Sequence, residues 1–183
     1  MRIETTPLAG VYRVHQPYAG DARGAFARLF CERELAELLG HRRIVQINGS
    51  LTREAGTVRG LHFQHAPHAE MKFVRCLRGR VWDVAVDLRA GSPTLLQWHA
   101  EELCAHDGRM MVLPEGVAHG FQALAPDTEL LYLHTAFHEP SSEGGVHCQD
   151  ARLGIPWPLP VRGLSPRDLA HPPLAPDFAG VKT

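Results

Sequence analysis

The sequence predicts an all-β protein, a sandwich or barrel of short strands with a few short helices and an irregular C-terminal segment. The first observation is a series of short apolar runs between residues 72 and 137, separated by Gly, Pro or Asp. The second is a single helical pattern at residues 31–40, where Leu35, Leu38 and Leu39 precede Gly40 as a C-terminal stop. The third is the proline-rich chain from about residue 154, which predicts an irregular wrap over the surface.

The composition indicates one domain spanning residues 1–183. Apolar residues make up 44% of the chain, enough for a substantial core, and charged residues make up 21%. The net charge is −1 and no basic run occurs, so a nucleic-acid partner is not expected. The N-terminus does not resemble a signal peptide, no apolar run is long enough to cross a membrane, and the four cysteines are scattered. Together these features predict a cytoplasmic protein with reduced thiols and no membrane contact.

The strand pattern is clearest at residues 74–89. Two strand-like runs lie on either side of Arg78 and Gly79, which predicts a tight turn between them. In the second run, the even-numbered positions from 82 to 88 are large and apolar, whereas the odd-numbered positions include Asp83 and Asp87. Such a strand is expected to lie between a core and a polar cavity. Further strands are predicted at residues 95–103, 109–114, 119–124 and 129–137.

Residues 108–119 follow the pattern G-x5-P-x-G-x2-H, the second of two segments that mark cupin barrels. Pro114 and Gly116 predict a tight turn between two strands, after which His119 points into the barrel. The first cupin segment usually supplies H-x-H, whose two His side chains share one face of a strand and can chelate a metal. Here that segment reads H-F-Q from His62, and glutamine is a poor ligand for a transition metal.

This replacement weakens the metal hypothesis, although His62, Glu70 and His119 remain an alternative set of three ligands. His65 falls on the opposite strand face and His68 follows a proline, so both are interpreted as rim or turn residues. We therefore predict no metal.

Proton transfer is the alternative to metal binding for an inward-facing His62. An imidazole is suited to removing a proton near neutral pH. Lys72 lies in an apolar, strand-like stretch and needs a counter-charge, which we expect from Asp83 or Asp87. A paired ammonium can stabilise a developing oxyanion. Tyr132 alternates with two leucines, which suits either an inward proton donor or a half-buried core aromatic.

Eight motifs extend over most of the chain: D-x-R-G (21–24), V-Q-x-N (45–48), V-R-G-L-H-F-Q (58–64), M-K-F-V-R-C-L-R-G (71–79), W-D-V-A-V-D-L-R-x-G-S-P-T (82–94), P-E-G-x-A-H-G-F (114–121), L-L-Y (130–132) and L-G-I-x-W-P (153–158). With these motifs the chain resembles the dTDP-4-dehydrorhamnose 3,5-epimerases, small cupin-like enzymes that act on nucleotide-linked 4-keto-6-deoxy sugars. The resemblance implies a cupin-like jelly-roll fold and an epimerase without a metal or organic cofactor.

The resemblance implies a role for each matching residue. It makes His62 the catalytic base, Asp168 the carboxylate paired with it, Tyr132 the acid on the opposite face and Lys72 the group that stabilises the enolate oxygen. Further matching residues are expected to hold the sugar, diphosphate and nucleotide: Arg23, Arg59, Gln46, Asn48 and His119. We expect three more residues to bind substrate: His138, Glu143 and Arg167.

The implied reaction inverts C3, C5 or both in a sugar of the dTDP-4-dehydro-6-deoxyglucose type, through proton abstraction, an enolate and reprotonation. His138 replaces the second residue of an aromatic pair common in the family, so inversion at one centre or at both stays open. Arg28, Ile47 and Gly49 also differ from common family residues, which leaves dTDP, CDP and GDP as alternative carriers.

The resemblance also implies a homodimer, in which an N-terminal arm of about residues 1–50 makes the dimer contact and Arg23 serves the neighbouring subunit's site. Three other functions are alternatives: a nucleotide-sugar 3,4-ketoisomerase, a metal-dependent cupin enzyme and a non-catalytic sugar-binding cupin. The last has no use for a base and an acid on opposite sides of a ligand.

Overall fold

The computed structural model describes residues 1–183 and contains two antiparallel sheets with a two-stranded hairpin beside them. The first sheet has six strands in the order β1 (Arg2–Thr5), β2 (Tyr12–His15), β10 (Arg109–Leu113), β7 (Lys72–Arg78), β12 (Thr128–His134) and β5 (Gln46–Thr52). The second has five strands in the order β13 (Glu143–Gly145), β6 (Val58–Gln64), β11 (Val117–Ala123), β8 (Arg80–Asp87) and β9 (Trp98–Cys104). The hairpin pairs β3 (Ala19–Asp21) with β4 (Gly24–Phe26). The predicted all-β, cupin-like class is confirmed.

Helices are short. They are α1 (Ala36–Leu39), α2 (Pro166–Ala170) and one 3₁₀ turn (Pro140–Ser142). The predicted helix over residues 31–40 is therefore too long: only its last turn is helical, and Leu35 at its N-cap has no side-chain oxygen to accept a backbone N–H. No helix in the structure is long and apolar enough to cross a membrane.

Three apolar clusters build the protein in layers. The central one lies between the sheets and contains Val74 and Met111 from the first and Ala85 and Phe121 from the second. A second covers the outer face of the first sheet, where the chain around α1 supplies Leu35 and other apolar residues. A third covers the outer face of the second sheet, under the C-terminal segment. Apolar clusters thus cover both faces of each sheet, and the inner strand β11 is buried along its whole length, whereas the edge strand β5 is largely exposed.

The face assignment predicted for β8 is confirmed, because Val84 and Val86 join the outer cluster whereas Val81 and Ala85 join the central one. The predicted turn after Arg78 also exists, with Gly79 at φ +73°. It does not close a hairpin, however, because β7 and β8 belong to different sheets. The chain crosses the sandwich at this glycine.

The boundaries of three other strands differ from the prediction. β9 begins at Trp98 and not at residue 95, because Leu95 and Leu96 form a turn in which Leu96 adopts φ +64°. β11 begins at Val117, two residues earlier than predicted. β12 ends at His134 and not at residue 137. All three differences fall at strand ends, where turn geometry decides the boundary.

A register shift distorts the pairing of β6 with β11. His119 pairs with His62, whereas Phe121 pairs with Arg59. The backbones approach so closely here that a Cβ on Gly60, which has φ +118°, would lie 2.5 Å from the Cα of Gly120. Regular alternation places residues three apart on opposite faces, but with this shift both Arg59 and His62 line the same cavity.

Candidate active site

A polar cavity of about 350 Å³ lies between the two sheets, next to the central apolar cluster. Fifteen residues line it: Gln46, Asn48, Gly49, Ser50, Arg59, His62, Glu70, Lys72, His119, Phe121, Tyr132, His134, His138, Glu143 and Arg167. Ten of the twelve site residues predicted from the sequence are among them. Of the other two, Asp168 is hydrogen-bonded to His62 behind the cavity wall, whereas Arg23 lies elsewhere on the protein.

The His62–Asp168 pair joins the second sheet to the C-terminal segment. His62 Nε2 lies 2.5 Å from Asp168 Oδ1, and only 4% of the Asp168 side chain is exposed. Ser165 caps the N-terminus of α2 by accepting the backbone N–H of Asp168, which fixes the carboxylate on the first turn. Because Nε2–H donates to Asp168, Nδ1 is the nitrogen of His62 that can accept a proton.

The surroundings of this pair favour a neutral imidazole and an ionised carboxylate. Burial lowers the pKa of His62 below its ordinary value of 6.5, and this outweighs the opposing effect of Asp168. Burial raises the pKa of Asp168, but hydrogen bonds from His62 and Ser165 outweigh that effect, so its pKa is below the ordinary 3.8. His62 is therefore uncharged at neutral pH and able to act as a base.

Tyr132 belongs to β12 on the opposite wall of the cavity. Its ring packs edge-on against His119 at 5.8 Å and parallel to His134 at 6.1 Å, and its hydroxyl lies 3.4 Å from Ser50 Oγ. Burial raises the pKa of its phenol far above the ordinary 10. Tyr132 therefore stays protonated at neutral pH. It lines the cavity and also packs against the central apolar cluster, so its position fits both sequence-based alternatives.

Lys72 has a different partner from the one predicted. Its Nζ donates to Glu70 Oε1 at 3.0 Å and to the backbone oxygen of His62 at 3.1 Å. The expected pairing with Asp83 or Asp87 is wrong because both aspartates lie on β8, in the other sheet, with partners of their own.

The two aspartates differ in their position relative to the cavity. Asp83 Oδ1 lies 2.7 Å from His119 Nε2, and burial raises the pKa of this fully buried carboxyl. His119 thereby gains a fixed orientation in the cavity wall. Asp87 lies outside the cavity, where it accepts hydrogen bonds from Arg89, Ser92 and Thr94.

The remaining polar side chains lie around His138 and Arg59. Arg167 donates to Glu143 Oε2 at 2.5 Å, and the backbone N–H of His138 donates to Gln46 Oε1 at 3.1 Å. The Arg59 guanidinium donates to the backbone oxygen of Leu51 and makes no ion pair in the structure. Arg59 is thus a cation in the cavity wall without a neutralising carboxylate.

Gln64, which replaces a cupin metal ligand, is buried and serves as a structural anchor. Its side-chain amide donates to the backbone oxygens of His68 and Phe137 and accepts from the N–H of Glu139. The alternative ligand set of His62, Glu70 and His119 is also not assembled. Glu70 contacts Lys72 and His134 instead, and His119 contacts Asp83.

One cluster does bring three metal-ligating side chains together, namely His62, Asp168 and His171, whose ligand atoms lie within 4.8 Å of one another. In this cluster Asp168 already accepts a hydrogen bond from His62 at 2.5 Å, a separation that suits a shared proton rather than two ligands around a transition metal.

Arg23 lies in the β3–β4 hairpin, away from the cavity of its own chain. Its side chain is 90% exposed and pairs with Asp21 at 2.6 Å. His65 and His68, interpreted as rim or turn residues, do not line the cavity, and His68 lies in a bend after Pro67.

Sequence reasoning missed His134 as a cavity residue, and it considered Glu70 only as an alternative metal ligand and not as the partner of Lys72. The signal was present in each case. Glu70 and Lys72 are two residues apart, as are Tyr132 and His134, so alternation places each pair on one face. Ser50 and Phe121 were missed as well.

Comparison with known proteins gives one consistent result. The sequence profile of the dTDP-4-dehydrorhamnose 3,5-epimerase family matches residues 5–176. The dTDP-4-dehydrorhamnose 3,5-epimerase of Sinorhizobium fredii is 39% identical, over 95% of this chain and 90% of that protein. The dTDP-4-dehydrorhamnose 3-epimerase of Streptomyces niveus is also 39% identical, over 92% of this chain and 81% of that protein.

A solved structure agrees with these sequence matches. The dTDP-6-deoxy-D-glucose-3,5-epimerase of Legionella pneumophila, in complex with dTDP-4-keto-L-rhamnose, superposes with a TM-score of 0.88 at 38% identity. The match covers 93% of this chain and 90% of that chain.

Proposed function

The chain belongs to the dTDP-4-dehydrorhamnose 3,5-epimerase family, and we propose that it inverts C3, C5 or both in a nucleotide-linked 4-keto-6-deoxy sugar. The observation that carries this proposal is a neutral imidazole and a protonated phenol on facing sheets of one cavity. His62 is uncharged and backed by Asp168, and Tyr132 stays protonated on the opposite wall. Inversion of a carbon centre needs a base on one side and an acid on the other.

The proposed steps use only these side chains. The C4 ketone of the substrate acidifies the protons on C3 and C5. Nδ1 of His62 removes one of them, and the electron pair of the broken C–H bond moves into an enolate whose charge lies on O4. The Lys72 ammonium stabilises that oxygen, which is where most of the barrier reduction is expected to arise. Tyr132 then donates its proton to the opposite face of the carbon, and solvent exchange restores both groups.

The same cavity offers groups for the rest of the substrate. Arg59 has no carboxylate partner, so its planar guanidinium is free to bind a diphosphate in bidentate fashion. Arg167, which pairs with Glu143, supplies a second cation in the cavity wall, and His119 is assigned to the sugar. Gln46 and Asn48 are assigned to the nucleotide, and we place Glu143 and His138 near the sugar or diphosphate.

We also propose that the enzyme acts as a homodimer in which Arg23 completes the partner's site. The hairpin that carries Arg23 exposes Phe26 to 73%, and the edge strand β5 exposes Ile47 to 62%, so apolar surface is available for a partner copy. In this arrangement the arm of about residues 1–50 makes the dimer contact.

Mixed dimers test that arrangement. Chains carrying Arg23→Ala and chains carrying His62→Asn are refolded together. If Arg23 acts in the neighbouring site, each mixed dimer regains one intact site, and random mixing restores about a quarter of wild-type activity. Mixtures that stay as inactive as the separate variants would place Arg23 outside the partner's site.

Proton NMR in deuterated water tests the reaction itself. The protein is incubated with dTDP-, CDP- and GDP-linked 4-keto-6-deoxyglucose, and deuterium entry at C3 and C5 is followed for each carrier. Exchange at both carbons indicates a double epimerase, and exchange at one carbon indicates a mono-epimerase. His62→Asn is the inactive control.

Two results would overturn the proposal. A product whose keto group has moved to C3 would identify a ketoisomerase. A folded protein that binds the sugar nucleotides but catalyses no exchange at either carbon would be a binding protein.

A further inference from the structure

A continuous series of polar contacts crosses the ends of three neighbouring strands in the cavity wall. Glu70 Oε1 lies 3.0 Å from Lys72 Nζ, and Glu70 Oε2 lies 2.8 Å from His134 Nδ1. On its other side, His134 Nε2 lies 3.3 Å from the side-chain amide of Asn48. Strand pairing sets this arrangement, because His134 on β12 stands opposite Lys72 on β7, and Tyr132 stands opposite Asn48 on β5.

The donors and acceptors in this series are mutually consistent. The Glu70 carboxylate can only accept, so it takes one hydrogen from Lys72 and one from His134 Nδ1. His134 then has an unprotonated Nε2, which accepts from the Asn48 amide. The side chains of Lys72 and His134 are each 10% exposed and that of Glu70 is 8% exposed. The contacts are thus largely shielded from water, where charge-assisted hydrogen bonds are strong.

Lys72 uses two of its three ammonium hydrogens for anchoring. One goes to Glu70 and one to the backbone oxygen of His62. The third is the hydrogen that remains for a ligand in the cavity. Lysine has a flexible stem with four rotatable bonds, so two anchors at different directions are needed to hold the ammonium in one place.

We propose that Glu70 and His134 are positioning residues that hold the Lys72 ammonium in the cavity wall for the reaction. Glu70 acts directly on Lys72, and His134 acts by fixing the Glu70 carboxylate. The inference rests on the proposed function, in which Lys72 stabilises the enolate oxygen. Its consequence is that two residues govern the chemical step through the position of the Lys72 ammonium.

Steady-state kinetics of single variants give the first test. We expect Glu70→Ala to lower kcat about 10- to 100-fold with KM changed less than about twofold, because the Lys72 contact strengthens as the enolate forms. Glu70→Gln keeps an oxygen that can accept from Lys72 and should lose less. His134→Phe keeps the ring but removes both nitrogens, and we expect a loss of about 3- to 10-fold in kcat.

A double-mutant cycle separates positioning from general damage. If Glu70 acts through Lys72, adding Glu70→Ala to Lys72→Ala lowers kcat no further. An equal loss in the presence and in the absence of Lys72 would overturn the proposal. Glu70→Gln serves in the same cycle if Glu70→Ala does not fold, as judged by thermal unfolding.

The chain offers a matched control for His134. His99 on β9 forms another His–Glu pair, with its Nε2 2.8 Å from Glu101 Oε1, but neither residue lines the cavity. His99→Phe therefore removes the same chemistry from a different place. We expect its kcat to equal that of the wild type, and a loss as large as that of His134→Phe would argue for a purely structural effect.

A spectroscopic test needs no substrate. The sequence contains only two lysines, Lys72 and the exposed Lys182, so protein labelled with ¹³C at the lysine ε-carbon gives two signals. The Lys72 signal should shift strongly in Glu70→Gln and less in His134→Phe, while Lys182 stays fixed as an internal reference. An unmoved Lys72 signal would overturn the positioning role. A wild-type protein that catalyses no exchange would instead overturn the proposed function, whatever the lysine signals show.

Discussion

The same strands build two different interiors between the sheets. At one end β7 and β12 contribute Val74 and Leu130 to the central apolar cluster, and at the other they contribute Lys72 and Tyr132 to the polar cavity. In each strand the change takes place over two residues, which is one step along the inward face.

This contrast shows that strand alternation decides which side chains face inward, whereas their chemistry decides whether the space becomes a core or a site. The apolar end supplies burial free energy. The polar end holds buried titratable groups, which need hydrogen-bond partners. Three His–carboxylate pairs meet this need: His62–Asp168, His119–Asp83 and His134–Glu70. Stability and reactivity should therefore be separable by mutation.

The largest effect is expected in the cavity. His62→Gln removes the proposed base while keeping an amide long enough to donate to Asp168 in place of Nε2, so kcat should fall about 10²- to 10⁴-fold. The free energy of unfolding should change by less than about 1 kcal/mol, because His62 is partly exposed. Deuterium exchange at C3 and C5 and urea unfolding measure the two quantities. An active variant would remove His62 from its role as base.

The converse change lies at the apolar end. Leu130 is 1% exposed in the central cluster, and Leu130→Ala should lower the free energy of unfolding by about 2–5 kcal/mol. Turnover per folded molecule should stay near that of the wild type. Leu77→Ala is a suitable control because Leu77 is 37% exposed, and we expect it to cost less than about 0.5 kcal/mol. A large loss of kcat in folded Leu130→Ala would show that the two ends are coupled.

Gly60→Ala tests the boundary between the two ends. A methyl group at this position would collide with the backbone of β11 at Gly120, so β6 must move. We expect a destabilisation of about 1–3 kcal/mol together with reduced activity, since Arg59 and His62 flank this glycine. Thermal unfolding and the exchange assay would report both changes, and full activity in a stable variant would show that the close approach is not required.

The smallest effect concerns pH. Burial lowers the pKa of His62 and Asp168 opposes it, so the acid limb of kcat/KM should have its midpoint below pH 6.5. Asp168→Asn removes the carboxylate that favours the protonated imidazole. The limb should then move to still lower pH, and the plateau should fall as well because the imidazole loses its fixed tautomer. A shift toward higher pH in this variant would contradict the assignment.

Much of this architecture follows from local patterns. The period of two placed Tyr132 and the two faces of β8 correctly, and the turn pattern before His119 placed that residue in the interior. These inferences succeed because the direction of a side chain on a regular strand depends only on its neighbours.

The errors arise where distant parts of the chain meet. The expected partner of Lys72 was wrong because β7 pairs with β10 and β12 and not with β8, although the true partner, Glu70, is only two residues away in the sequence. Arg59 and His62 share the cavity only because the register shifts opposite Gly60. Helix α1 is only one turn long, although the leucines whose spacing suggested a longer helix still pack against the first sheet.

Because His62 pairs with Asp168, the time at which the cavity becomes complete depends on the order in which the chain is synthesised. The two residues are 106 positions apart, and α2 belongs to the segment that covers the outer face of the second sheet. During synthesis the ribosome adds His62 long before Asp168. At about 5–20 residues per second, several seconds pass between the synthesis of the imidazole and that of its carboxylate partner. A chain that does not yet contain α2 therefore lacks both the carboxylate that pairs with His62 and the Arg167 side chain of the cavity wall, and the cavity is complete only when this last segment has been made and has packed.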